Sequence, residues 1–327
     1  MATDQPGIFT ISLDLELAWG FLDRPELGSY EANLRGGRAA IPALLDLFAT
    51  YDVHATWATV GLLMYQDRQD LLDHVPPDAP TYADPALDAY RHVRSHDDLD
   101  PELHLAPDLI ERILAVPGQE IGSHTHCHYY GLEPGQTRTQ FRADLEAAAS
   151  LARRRNLTLT SLVFPRNQCN PDYLELLTAA GVTCYRGNER SRLYRAAAGK
   201  DQRRWMRAAR LLDAYLPLTG HNTHDPSELA RCRPYDVPAS RFLRPAPSHA
   251  AWLEPLRRRR ITRAMTHAAH RGRLFHLWWH PHNFGRDTER NLAFLATILE
   301  HFARLHRDLG MLSLNMHEVA VELDRRR

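Results

Sequence analysis

Lysine is nearly missing from this chain. Lys200 is the one lysine in 327 residues, and arginine supplies the rest of the 40 basic side chains. Asp and Glu also total 40, so the formal net charge is zero. No global field then points to nucleic acid or an anionic membrane as the partner. Cysteine is scarce too. Cys127, Cys169, Cys184 and Cys232 form no CxxC pair and no zinc-ribbon spacing. A chain of this length buries its own core without disulfides, so the four are expected to be free thiols in a reducing compartment. No run approaches the ~20 apolar residues of a membrane span. The opening residues 1–6 hold no basic stretch followed by an apolar one, so no export signal is read and a cytoplasmic location is expected. Internal repeats and low-complexity linkers are absent as well. The simplest expectation is one domain over 1–327.

Histidine is plentiful. There are 19, clustered at 124–128 and 276–282. Around them, strand and helix patterns alternate. Residues 8–17 read as a strand with Asp14 and Glu16 on one face, since side chains two apart share a face. Helix 37–50, strand 53–63, helix 106–115 and strand 119–123 follow. Beyond them come helix 134–155, strand 160–164, helix 171–180 and strand 182–186. Residues 235–243 read as a strand, 249–271 as a helix and 274–279 as a very apolar strand. Helix 290–309, strand 311–315 and a last helix complete the series. Two stretches break the rhythm. Residues 65–106, rich in Asp, Pro and His, read as a surface excursion, and 187–234 as Arg-rich helix and loop. The alternation predicts a parallel α/β sheet, closed or nearly closed as a barrel, with its polar motifs at the C-terminal ends of strands, where such folds build sites.

Glu120-Ile-Gly-Ser-His124-Thr-His-Cys-His128 is the most informative stretch. Imidazoles four apart share one side of a helical turn, or the mouth of a loop entering a helix. Neutral imidazole suits divalent zinc, cobalt, nickel or iron. His126, between the pair, is read as a supporting or exposed residue. Asp14 and Glu16 offer the carboxylates. Acids in an apolar strand are costly to bury unless paired or metal-bound. Metal-assisted hydrolysis divides their labour, one ligating and the other taking a proton from water. Arg166, after a buried strand, is expected to hold Asp14 and lower its pKa. His280, closing the strand 274–279 just ahead of His282, is the candidate general acid. Trp278 and Trp279 read as core, and Arg257–Arg260 as a solvated helix face that could steer a phosphate-bearing substrate.

In this order the motifs resemble the polysaccharide deacetylase family, the NodB-homology carbohydrate esterases. They are SLDLELAWG (12–20), EIGSHTHCH (120–128), FPRNQ (164–168) and LWWHPHN (277–283), with ATWATVGLL (55–63) similar to the family's second strand. The resemblance covers about residues 8–285. It implies a distorted (β/α) barrel of about seven strands, with 65–106 and 187–234 as insertions. It also implies His124, His128 and Glu16 as metal ligands, Asp14 as base, His280 as acid and Arg166 as the strand-end arginine. The chain departs from the usual pattern, because Leu15 separates the two acids and the second is Glu. That leaves exchange of their roles open. Asp236 is a candidate for the family's fourth motif.

The expected activity is metal-dependent removal of an N-acetyl or N-formyl group from an amino sugar, with zinc the expected ion. A cytoplasmic enzyme would meet a lipid- or nucleotide-linked sugar or another small N-acyl compound. Opening of a cyclic amide and a non-catalytic sugar-binding role are the alternatives. An iron oxygenase triad of two histidines and a carboxylate is disfavoured by the strand–helix alternation.

Overall fold

One strand shows how the sequence divides its faces. In β1 (Ile8–Leu15) every residue is buried. Phe9, Ile11, Leu13 and Leu15 join the main apolar core, while Thr10, Ser12 and Asp14 take the alternate positions and form a polar row. The computed structural model describes residues 5–24, 27–194, 204–246 and 251–327. Around β1 stand β2 (Ala55–Thr59), β3 (Gln119–Ser123), β4 (Ser161–Val163), β5 (Cys184–Arg186), β6 (Tyr235–Asp236), β7 (Arg241–Phe242), β8 (Leu274–Trp279) and β9 (Leu312–Ser313). Their order is β6-β5-β4-β3-β2-β1-β8-β7, and β9 lies beside the start of β1. The strand pairings are parallel. The expected α/β architecture, a distorted (β/α) barrel, is what the chain adopts.

The sheet is closed by a single segment. Residues 235–243, expected as one strand, form two short pieces on opposite edges. Val237 and Ala239 donate to the carbonyls of Tyr185 and Gly187 on one side. Ser240 and Leu243 donate to His276 and Trp278 on the other. Pro238, which lacks an N–H, sits between the two pieces. Counting this segment once gives seven staves: β1 to β5, the bridging segment and β8.

The far end is plugged. Ile8, Ala58, Val163, Cys184, Val237 and Leu274 form a second core with Met316, Val319, Ala320 and Leu323 of the last helix, Met316–Arg325. A fully buried Val, Leu or Met contributes about 1.5–3 kcal/mol, so this helix helps hold the barrel shut opposite the site. An Asn315 capping box with Glu318 starts it, and Met316 N–H donates to Thr56 Oγ1 at 2.8 Å.

Register then sets the site edge. Asp14 pairs with Ala58 and Ala58 with Gly122, while Leu13 pairs with Trp279. Continued along the chain, this register sets Glu16 level with His124 and Asp14 level with His280, so all four emerge at one edge of the sheet. Gly122 is required there, because a Cβ would meet Thr56 Cγ2 at 2.8 Å.

Several element limits differ from expectation. The first helix runs from Leu27 to Thr50 with Pro42 inside it. Residues 65–106 are more than a surface excursion. They form the helices Arg68–Leu72, Ala89–Ser95 and Pro101–His104, and bury Tyr65, Tyr90 and Val93 against the main core. Residues 195–203 of the second insertion and 249–250 of the helix expected at 249–271 lie outside the described residues. The described helix there is Glu254–Arg271.

Candidate active site

The histidine motif is a loop, not a helical turn. Thr125 and His128 take φ of 64° and 59°, a left-handed backbone that costs a non-glycine residue about 1–3 kcal/mol. Local hydrogen bonds hold it. Buried Asp144, on the helix Arg138–Arg154, accepts the N–H groups of His126 (2.7 Å) and Cys127 (3.0 Å). Thr125 Oγ1 accepts from Tyr129 N–H at 2.6 Å. Burial raises the Asp144 carboxyl to about 6. His126 is not exposed. It is wholly buried, its Nε2 2.9 Å from the Tyr65 hydroxyl and its Nδ1 2.6 Å from that of Tyr90. Burial lowers it to about 3, so it stays neutral.

His124 and His128 turn to Glu16. Their Nε2 atoms lie 3.4 and 3.0 Å from Glu16 Oε2, and all three side chains are buried. His124 Nδ1 donates to the Val163 carbonyl at 2.9 Å, since a carbonyl only accepts. With Nδ1 so engaged, Nε2 is the ring nitrogen left over, buried, without a hydrogen-bond partner and aimed at a carboxylate oxygen. A cation held between this nitrogen and the carboxylate would satisfy both. The three ligand atoms lie within 4.8 Å of one another. Burial outweighs Glu16 and lowers His128 to about 4, keeping it neutral and able to ligate. Burial opposes ionisation of Glu16, but His280, His124 and His128 overcome it and hold the carboxyl well below its usual range. The residues fit a divalent cation on two imidazoles and one carboxylate.

Asp14 sits in a different environment. Arg186 grips both of its oxygens, Nη1 to Oδ1 at 2.6 Å and Nη2 to Oδ2 at 2.7 Å. Burial disfavours the Asp14 charge, but Arg186, with His124 and His280, outweighs it and leaves the pKa lowered. Arg186 also meets Ser12 Oγ and Asn167 Oδ1, each at 3.0 Å, and stands 4.1 Å from the Trp278 ring centre. Ser12 Oγ lies 2.8 Å from Nε2 of His276. His280 Nε2 is 3.7 Å from both Asp14 Oδ2 and Glu16 Oε1 and is partly open to solvent. His282 stacks on it, with ring centres 4.7 Å apart.

The partner expected for Asp14 is corrected here. Arg166 does not hold it. Its backbone turns left-handed, at φ 53°, directly after β4, and its guanidinium pairs with Asp23 and lies 4.5 Å from the Tyr130 ring centre. Arg186 takes the expected role because it is still on a strand, in register with Val163 and facing Asp14. A signal was present, since an arginine within a short apolar strand needs a buried partner. Asp236 takes no part either. It lies against Gly187, where a Cβ would come 2.0 Å from its Oδ1.

A cavity of about 520 Å³ opens over these groups. Asp14, Glu16, His128 and His280 lie on its floor, and Phe21, Tyr30, Arg24, Arg166 and Phe242 form walls. Its aromatic and basic lining suits a polar ring carrying an amide.

A family model described as polysaccharide deacetylase matches residues 32–185. That span includes His124, His128 and Arg166, but neither β1 nor His280. No curated protein gives a significant match. Among solved structures, a Mycobacterium smegmatis protein provisionally named a polysaccharide deacetylase is similar. It has TM-score 0.57 and 14% identity, covering 100% of this chain and 93% of that one. The PuuE allantoinase gives TM-score 0.53 and 14% identity, covering 98% and 92%. A carbohydrate esterase family 4 pseudoenzyme from Bacillus anthracis gives 0.45 and 11%, covering 96% and 66%, too distant to carry an argument. At these identities the structural likenesses show the fold. The polysaccharide deacetylase resemblance read from the motifs is borne out.

Proposed function

We propose, taking the polysaccharide deacetylase resemblance in sequence and fold as the premise, that this chain is a metal-dependent amide hydrolase. It removes an N-acetyl or N-formyl group from an amino sugar or sugar-containing precursor. The observation that supports this most is the separation of two carboxylates two residues apart. Glu16 lies against the paired imidazoles of His124 and His128, whereas Asp14 is gripped through both oxygens by the Arg186 guanidinium.

Glu16, His124 and His128 would hold the cation, for which zinc suits the donor set. When bound, it supplies Lewis-acid polarisation of the acyl carbonyl and acidification of water. Asp14, kept ionised by Arg186, accepts the proton of the attacking water. A C–O bond forms at the acyl carbon and the C–N bond breaks. An amine leaves poorly as an anion, and His280, on the open side of the cavity, gives the leaving nitrogen its proton. Phe21, Tyr30 and Phe242 bracket the ring. The products are a carboxylic acid and a free amine.

The test pairs metal analysis of the purified chain with a panel of N-acetyl and N-formyl amino sugars, free and lipid- or nucleotide-linked, assayed for free amine. Release of amine that His124→Ala abolishes together with metal content supports the reading. Full turnover by a chain stripped of metal would overturn it.

A further inference from the structure

An amphipathic helix on this chain turns its apolar side outward. Within Arg204–Asp213, Trp205, Ala208, Leu211 and Leu212 are exposed, at spacings that share one helix face. Trp205 is 61% exposed. The orientation is anchored. Asp213, at the helix end, is wholly buried and meets Arg241 (2.5 Å), Thr219 (2.8 Å), Tyr194 (2.9 Å) and Arg260 (3.5 Å). The chain continues through exposed Leu216 and Leu218 to Gly220, whose carbonyl Arg260 also binds.

Arg260 belongs to the helix Glu254–Arg271, which packs on this segment and also exposes apolar and basic side chains. Trp252, just before that helix, is 75% exposed, and Leu256 is also exposed. Trp252, Leu256, Arg259 and Arg263 fall four, seven and eleven positions along, which is one helical face, and Arg258 flanks it. Arg258, Arg259 and Arg263 are exposed. Glu254, at the head of the helix, is already taken by Arg290 at 2.9 Å.

We infer that this face docks on an anionic lipid surface. Exposed tryptophan and leucine beside arginine, with no helix able to span among the described residues, is the composition of an element that lies in a membrane interface. The charge selects this occupant over a second copy of the chain. A two-fold contact would bring one arginine-bearing face against the same face, whereas an anionic surface is its complement. The helix Glu254–Arg271 is held to the body of the chain from its buried side. Arg257 binds the carbonyls of Arg244 and Pro245 at 2.6 and 2.9 Å, just past Phe242.

Binding is read without any substrate, so its outcome is independent of the proposed hydrolysis. The full chain is sedimented with phosphatidylcholine vesicles with and without phosphatidylglycerol, and tryptophan emission is recorded. Co-sedimentation with the anionic vesicles, weakened by added salt and accompanied by a blue shift, is expected. Each arginine near such a surface is worth about fivefold in partitioning. Arg258→Glu with Arg259→Glu should therefore reduce binding at least about twentyfold, and Trp205→Ser with Trp252→Ser should remove the blue shift. Circular dichroism checks that both variants stay folded. Absence of binding to the anionic vesicles overturns the proposal, as does binding unchanged in the folded variants. A dimer in light scattering that the tryptophan pair of substitutions makes monomeric also overturns it, by giving the face to a second copy.

Discussion

Arg186 and Asp14 are joined through both carboxylate oxygens, at 2.6 and 2.7 Å, with the arginine side chain fully enclosed and Asp14 nearly so. Removing the guanidinium leaves a buried carboxylate uncompensated, which costs about 3–5 kcal/mol. Arg186→Met should lose that much in urea unfolding, whereas Arg166→Ala, which breaks a partly exposed pair with Asp23, should lose about 1 kcal/mol or less. The sign of the pH effect follows. A lowered Asp14 pKa contributes stability above the unfolded carboxyl range, and this is lost as pH falls through the folded value. Arg186→Met raises the Asp14 pKa, so the acid limb of kcat/KM should move to higher pH. An unmoved limb would deny Asp14 the role of base.

The two acids should respond differently. Asp14→Asn keeps the imidazole–carboxylate cluster intact, so metal content should be retained while kcat falls about 10²–10⁴-fold, the range for loss of a general base. Glu16→Gln takes away a ligand charge and should lower metal content first. Metal analysis beside kcat on both variants reads this, and the opposite pattern would mean that the roles are exchanged.

The sequence exposed the parts of this site that obey local rules. Alternation along β1 puts Asp14 and Glu16 at a strand end, and the apolar runs 119–123 and 274–279 coincide with β3 and β8. Long-range choices stayed hidden. FPR and CYR both put an arginine at the close of an apolar run, and the left-handed turn at Arg166 and Asn167 sends one guanidinium away from Asp14. Helical spacing suggested the His124–His128 pairing, but the pairing comes from a loop pinned by Asp144, eighteen residues beyond His126. The division of 235–243 between two sheet edges depends on both edges being in place, so no local pattern reports it.

In the proposed reaction His280 protonates the departing amine. Its Nε2 reaches toward both carboxylates at 3.7 Å while its ring keeps solvent access. His280→Asn should lower turnover of an alkyl amide about 10²–10⁴-fold. An aryl amide with an electron-poor leaving group needs less protonation, so its loss should be much smaller. Comparing the two substrates in wild type and variant checks this, and equal losses would move His280 from proton donor to a binding role.

Asp236 supplies a test on stability alone. Burial raises its carboxyl to about 6, against weaker lowering by Arg190 and the Gly187 N–H, and its Oδ1 has no hydrogen-bond partner. Between the unfolded carboxyl range and about 6 the folded chain holds more protons at this group than the unfolded chain. Stability from this residue therefore falls as pH rises through that window and is flat above it. The shift corresponds to at most about 3 kcal/mol. Asp236→Asn preserves the shape beside Gly187 without the charge. It should unfold at higher urea than wild type at pH 7, with the gain shrinking toward pH 4, and it should keep kcat because Asp236 does not touch Asp14, Arg186 or His280. A variant less stable at pH 7 would mean that the buried charge has a partner it needs.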